Sequence, residues 1–305
     1  MELLPVVIWG ILVFTVLGMI FGIAIAGTAR KFHVPSNPVI EAVKDNLPAA
    51  NCGACGYGAC QGYAEHVVED EEVSPTLCTP GGQEIAIVIG DLTGKEVGVI
   101  KEEVAMLRCA GIRSVAREQA TYVGIHTCAA AALSFGGPKA CKYGCLGLGD
   151  CQKVCAFGAI RMTDDGIVAI DFAKCTGCGL CIDACPKETL EMMPRQHRVI
   201  LSCTTRDKGK SVKSVCTVGC IQCKLCIKEC PADAIYFDAQ GIITVDHASC
   251  SGYGPGCDEV CVAVCPTDIL HMPGMRPDAD KKKKQKAAKA AQAAKKEDAM
   301  TGTDG

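Results

Sequence analysis

The stretch CKYGCLGLGDCQKVC (141–155), AFGAIRMTDDGIVAIDFAK (156–174), CTGCGLCIDACP (175–186) sets four cysteines on either side of a short connector. The second run has the spacing C-x2-C-x2-C-x3-C-P. In that pattern three thiolates on one tight loop reach three corners of one cubane, while the fourth, on the following helix, serves the other cluster. Crossed ligation is therefore expected. Cys141, Cys145, Cys151 and Cys185 form one 4Fe–4S ligand set, and Cys155, Cys175, Cys178 and Cys181 the other. A zinc ribbon also uses C-x2-C pairs, but two pairs complete a zinc site, and these are packed sets of four.

The unit repeats. AIRMTDDGIVAID (159–171) matches AIYFDAQGIITVD (234–246) at an offset of 75, and Cys151, Cys155 and Cys175 map onto Cys226, Cys230 and Cys250. Each copy predicts two short strands joined by a turn at Gly166 or Gly241. Strands beside short helices that follow the cysteines make the two-cluster ferredoxin unit, so the fold class is α+β with two tandem units. In the second unit Cys220, Cys223, Cys226 and Cys265 are expected on one cluster, and Cys230, Cys250, Cys257 and Cys261 on the other. The six residues between Cys250 and Cys257, SGYGPG, suit a looped-out insertion.

NCGACGYGAC (51–60), with Cys78 further on, gives C-x2-C-x4-C-x17-C. Gly53, Gly56 and Gly58 let the backbone wrap closely, and Cys60 opens an amphipathic helix. Cys52, Cys55, Cys60 and Cys78 are expected to hold a further, self-contained 4Fe–4S cluster, making five. Asn37-Pro38 opens a preceding helix, which Pro48 closes. Cys109, Cys128, Cys203 and Cys216 have no partner at ligand spacing and read as buried thiols acting as small apolar residues; the alternatives are ligands of an additional cluster for Cys109 and Cys128, and competition with Cys220 for Cys216.

Before these modules, 6–26 is an apolar run of about 21 residues without a charge, long enough to span a bilayer. The preceding residues hold no Lys or Arg, as a cleavable signal would want. Arg30 and Lys31 follow directly, which places the rest of the chain on the cytoplasmic side of the inner membrane. Gly18 and Gly22 form a small-xxx-small pair suited to another membrane helix.

With 24 cysteines among 305 residues and only 5% aromatics, the modules are expected to be held by their clusters, as reduced thiolates in a reducing compartment. The tail 276–305 has nine basic and five acidic residues, leaving 22 basic against 29 acidic in the body, or −7. Nothing resembles a nucleic-acid surface. The expected organisation is a transmembrane anchor (1–30), a helical 4Fe–4S domain (35–95), a connecting segment (96–135), in which VAMLRCAG (104–111) reads as a strand into a turn and HTCAAAALSF (126–135) as a helix, and a first ferredoxin-like domain (136–195). A linker (196–215), a second ferredoxin-like domain (216–274) and a disordered Lys/Ala-rich tail (275–305) follow. There is no dinucleotide fingerprint and no P-loop, so no substrate-transforming site is expected.

The apolar N-terminus, NCGACGYGAC…C, KYGCLGLGDC…C and CTGCGLCIDACP together resemble the B subunits of Rnf-type ion-translocating electron transport complexes. The resemblance runs from residue 1 to about 195, and the second unit matches the long form found in anaerobes. It implies an electron relay that receives electrons from reduced ferredoxin and serves membrane-embedded and flavin-bearing subunits on the way to NAD. The complex would pump sodium ions or protons. Ala156 stands where a ferredoxin run has Pro, and the first unit opens C-x3-C-x5-C; both features belong to the resemblance. The alternative is a freestanding membrane-anchored polyferredoxin serving a hydrogenase or another reductase.

Overall fold

The apolar N-terminal run forms one helix, α1 (Leu3–Lys31), with Arg30 and Lys31 in its last turn. In this computed structural model, which describes residues 3–31 and 37–273, Val7–Thr28 is long and apolar enough to cross a membrane, and none of it is covered by the rest of the chain. Trp9 and Phe14 stand exposed, and nothing lies within 4 Å of Gly18 or Gly22, so the small-residue pair is open to a neighbour. The expected tail, 275–305, lies outside the described residues.

Three helices make the next module: α2 (Pro38–Asn46), α3 (Cys60–Glu69) and α4 (Gly82–Thr93). Asn37 caps α2, its Oδ1 accepting the Val39 N–H at 3.0 Å, and Leu47 is extended ahead of Pro48. Ile40, Val43, Tyr63, Val67 and Ile89 bury their side chains together, with Cys55, Cys60 and Cys78 packed against them. Tyr63 donates its buried hydroxyl to the Ser74 carbonyl at 2.9 Å. The cysteine loop is thus pinned to a small apolar core.

The remainder consists of two-stranded antiparallel sheets and helical turns. β1 (Glu103–Leu107) pairs with β4 (Leu190–Pro194) from Glu103↔Pro194 to Leu107↔Leu190. Between them lie α5 (Cys128–Leu133), α6 (Asp150–Lys153), the hairpin β2 (Ile160–Met162)/β3 (Val168–Ile170) and α7 (Leu180–Asp183). The second unit repeats the plan. β5 (Ile200–Leu201) pairs with β8 (Leu270–His271), enclosing α8 (Gly209–Val215), α9 (Leu225–Lys228) and the hairpin β6 (Ile235–Phe237)/β7 (Ile243–Val245). α10 (His247–Tyr253) and α11 (Val260–Ala263) complete it.

Three segments differ from the expected organisation, the first two in the domain they belong to. The connecting segment and the linker each supply an edge strand: β1 closes the first unit and β5 the second. Their side chains explain this. Val104, Ala105, Met106 and Leu107 are all buried, as are Val199, Ile200 and Leu201, which a solvated connector could not sustain. The residues after Cys250 are helical rather than looped out. Asp246 caps α10, accepting the Ala248 N–H at 3.0 Å and the Ser249 hydroxyl, and Pro255–Cys257 adds a tight 3-10 turn.

The two units are joined by backbone hydrogen bonds. Arg117 N–H donates to the Val215 carbonyl at 2.8 Å, Thr217 N–H to Val115 at 3.0 Å, and Ala110 N–H to Ser202 at 3.0 Å. Arg108, buried, pairs with Glu191 in its own unit and donates to the Ile243 carbonyl of the other at 2.8 Å.

Candidate metal centres

All 24 cysteines are free thiols, and only Cys223 is exposed. Among the described residues no group of three or more His, Cys, Asp or Glu converges as the ligands of a single metal ion do. Three groups of sulfurs line cavities instead, as a cubane requires.

In the N-terminal module, Cys78 lies within electrostatic reach of Cys60, Cys55 and Cys52. Asn51 Oδ1 accepts the Cys60 N–H at 3.1 Å and so fixes the start of α3 against the loop. Burial pushes the Cys78 thiol up to about 11.

In the first ferredoxin-like unit, Cys181 on α7 is surrounded by Cys178, Cys175 and Cys155. One enclosed cavity is lined by Cys128, Cys145, Cys151 and Cys185. Cys141, grouped by spacing with the last three, is not there. Its loop turns back, with Gly144 N–H on the Cys141 carbonyl at 3.4 Å, and its sulfur receives the N–H groups of Tyr143 and Gly144 in a different cavity. Cys128 takes the place instead. Thr127 caps α5, accepting the Ala130 N–H at 3.2 Å, and Asp150 Oδ2 accepts the Ala129 N–H at 3.0 Å, docking α5 on the helix that carries Cys151. The repeat contains the signal for this. At the offset of 75, Leu148 stands where the second unit has Cys223, so the first unit lacks one local thiol.

In the second unit Cys226 is close to Cys220, Cys265 and Cys223. Cys230, Cys250, Cys257 and Cys261 line an enclosed pocket together with Arg198, whose guanidinium also pairs with Glu259. Each of the 20 cysteines expected as ligands thus lies in a group of thiols, and Cys141 alone lies in a different group from the one spacing suggests.

The surroundings fit iron–sulfur clusters. Backbone N–H groups are aimed at sulfur, Gly147 at Cys145 and Thr189 at Cys185 (3.5 Å) among them. Such bonds stabilise thiolate and tune a bound cluster. Burial pushes the Cys145, Cys151, Cys181 and Cys226 thiols up to about 12. A thiol that burial keeps protonated is not poised to react in isolation. It becomes thiolate when a metal compensates the charge, so metal binding and folding are one event.

Comparison with known proteins finds iron–sulfur modules along the same stretches of chain. A family model described as "Putative Fe-S cluster" matches residues 47–80, and one described as "4Fe-4S dicluster domain" matches 140–189 and again 219–269. The chain is 43% identical to the B subunit of the proton-translocating ferredoxin:NAD(+) oxidoreductase complex of Clostridium ljungdahlii, over 92% of this chain and 98% of that one. It is 39% identical to the B subunit of the Na(+)-translocating ferredoxin:NAD(+) oxidoreductase complex of Acetobacterium woodii, over 88% of this chain and 77% of that one. Identity is also 39% to the B subunit of the ion-translocating oxidoreductase complex of Methanosarcina acetivorans, over 88% and 98%. With that identity sustained through all three iron–sulfur modules, the chain belongs to the Rnf family of ion-translocating oxidoreductase complex B subunits.

Proposed function

We propose that this chain is the membrane-anchored iron–sulfur relay of an Rnf-type complex. It carries electrons between ferredoxin and the subunits that serve NAD while the complex translocates Na+ or H+. The observation that carries this reading is the succession of thiol groups from Cys52 to Cys265, all but Cys223 at least partly shielded from solvent, behind an apolar N-terminal helix. When bound, 4Fe–4S clusters supply one-electron oxidation and reduction without making or breaking a substrate bond. The protein's own side chains do the rest. Apolar cores exclude water, N–H groups stabilise thiolate, and basic residues such as Lys187 and Arg198 beside the cavities offset negative charge.

The ligand sets we propose for five centres are Cys52/Cys55/Cys60/Cys78, Cys128/Cys145/Cys151/Cys185, Cys155/Cys175/Cys178/Cys181, Cys220/Cys223/Cys226/Cys265 and Cys230/Cys250/Cys257/Cys261. The domain reading becomes an anchor, a helical module at 37–95 and two ferredoxin-like units that begin at their edge strands, near 103 and 199. Arg30 and Lys31, directly after the apolar run, favour the cytoplasmic side for all of these. Ferredoxin and the other subunits of the complex are the partners.

The functional test is reduction of the anaerobically purified full chain by reduced ferredoxin, followed as bleaching of cluster absorbance near 400 nm. Stoichiometric bleaching in proportion to ferredoxin added is expected; a protein that ferredoxin leaves oxidised, although dithionite reduces it, would remove the proposed partner.

The ligand change in the first unit has its own test. Cys128→Ser should remove the cluster of the Cys145/Cys151/Cys185 cavity and about four iron atoms per chain. Loss of its spectroscopic component in the EPR of the reduced protein should accompany this, and an unaltered spectrum would return Cys128 to a packing role.

A further inference from the structure

Three of the four cysteines that spacing leaves unpartnered come together. Cys109, Cys203 and Cys216 line one enclosed cavity between the two ferredoxin-like units, and Cys141, the thiol displaced from the first unit's cluster, is the fourth. Cys109 lies within electrostatic reach of each of the other three. From this arrangement we infer that Cys109, Cys141, Cys203 and Cys216 hold a sixth 4Fe–4S cluster, shared between the two units. The inference rests on the iron–sulfur reading of the other thiol groups.

The site is built twice over by the repeat. Cys109 follows edge strand β1 and Cys203 follows edge strand β5, each two residues past the strand end. Cys141 and Cys216 each stand four residues before the first local ligand, Cys145 or Cys220, and they are related by the same offset of 75. Cys109 accepts the Cys145 N–H at 3.4 Å, and Cys203 accepts the Cys220 N–H at 3.4 Å. Each unit thus contributes an equivalent half-site.

Every sulfur in the group receives backbone donors. Gly111 adds a second N–H to Cys109 at 3.4 Å, and Thr205 adds one to Cys203. Tyr143 and Gly144 serve Cys141, while Val218 and Gly219 serve Cys216. Four apolar packing thiols would have no need of eight such donors, whereas a tetrathiolate cluster uses them.

Two buried cations face the same space. Lys139 is 4% exposed and donates its ammonium to the Gly111 carbonyl at 2.7 Å; Arg108 is 8% exposed and also lines the cavity. Arg108 already pairs with Glu191, whereas the buried Lys139 ammonium meets only a carbonyl and calls for a negative partner. A cubane held by four thiolates carries net negative charge and would provide one.

The position also completes an order. Cys52 neighbours Cys178, and Cys181 neighbours Cys151. Cys145 neighbours Cys109, Cys203 neighbours Cys220, and Cys226 neighbours Cys261. Through these neighbours six groups of four, using all 24 cysteines, form a series, and the shared cavity joins one unit to the other. Transfer there is one electron from centre to centre: one is oxidised as the next is reduced, and no bond or proton moves.

The test is iron and acid-labile sulfide per chain in the full-length protein, reconstituted anaerobically until iron content stops rising. Six clusters give about 24 iron atoms and five give about 20. Cys203→Ser and Cys216→Ser, singly and together, should each lower the wild-type value by about four iron atoms and delete one and the same component of the reductive EPR titration. A wild-type value that saturates near 20, with both variants matching it, would overturn the sixth centre while leaving the relay intact. Iron near zero with zinc in its place would overturn both readings. Should a variant fold poorly, the wild-type count decides.

Discussion

Stripping the iron from the anaerobic, reduced protein with a chelator is expected to unfold everything from β1 to β8, while α1 stays helical in detergent. The reason lies in what the two units are made of. Their sheets have two strands each, and α6, α7, α9 and α11 are four residues long. Isolated hairpins and helical turns of that length are marginal in water. The apolar clusters that hold them include the ligands themselves. In the first unit Cys145, Cys151 and Cys181 are core residues beside Leu107, Ile160, Val168 and Leu190; in the second Cys226 and Cys261 sit among Leu201, Ile235, Ile243 and Leu270. A four-thiolate metal centre of the zinc-finger kind carries about 10–16 kcal/mol of folding energy. Net domain stability is about 5–15 kcal/mol, so removing even one such centre is decisive. Hydrogen exchange should show the amides of residues 103–273 losing protection together and regaining it on reconstitution with iron and sulfide. An apoprotein that keeps native protection in these strands would show that the apolar residues suffice alone.

Gly147→Ala is expected to do nearly as much damage with one methyl group. Gly147 has φ +71°, and a Cβ there would lie 2.1 Å from the backbone oxygen of Gly166, in the turn of the β2/β3 hairpin. The left-handed backbone alone costs alanine about 1 kcal/mol. The clash cannot be relieved by rotating a side chain, because the atom it meets is main chain. Either the 145–151 loop or the hairpin must move, and the Gly147 N–H that serves the Cys145 sulfur moves with it. The expected penalty is about 3 kcal/mol or more. It should be accompanied by loss of the cluster lined by Cys128, Cys145, Cys151 and Cys185. Gly241→Ala supplies the control, since its turn has φ +78° but no atom within 4 Å of the added Cβ. It should cost about 1 kcal/mol and leave iron content unchanged. Equal iron in the Gly147→Ala variant and the wild type would refute the steric argument.

Cysteine spacing made the local groups legible, because C-x2-C-x2-C places thiols by covalent geometry within a single loop. The apolar helix and the paired hairpins were equally readable, since period and length decide them. Spacing does not reach a thiol brought to a cavity from a distance. Cys128 arrives on α5 through a cap at Thr127 and a bond to Asp150, neither of which leaves a mark in cysteine spacing. The strand at 104–107 was readable, but its pairing, and the strand β5 itself, were not, because β1 and β5 each find their partner more than 60 residues later. Extending the offset of 75 by two more cysteines would have helped. Cys141 then pairs with Cys216 rather than with the local ligands, and Leu148 marks the thiol that the first unit lacks.

The hydrogen bonds from Arg117, Thr217 and Ala110, with the Arg108 guanidinium laid across the same seam, bear on how a complex of this kind works. A body stitched in this way travels as one piece. Its halves are not shuttles that swing between a donor and an acceptor, so any gating by distance belongs to the joints between this chain and its neighbours.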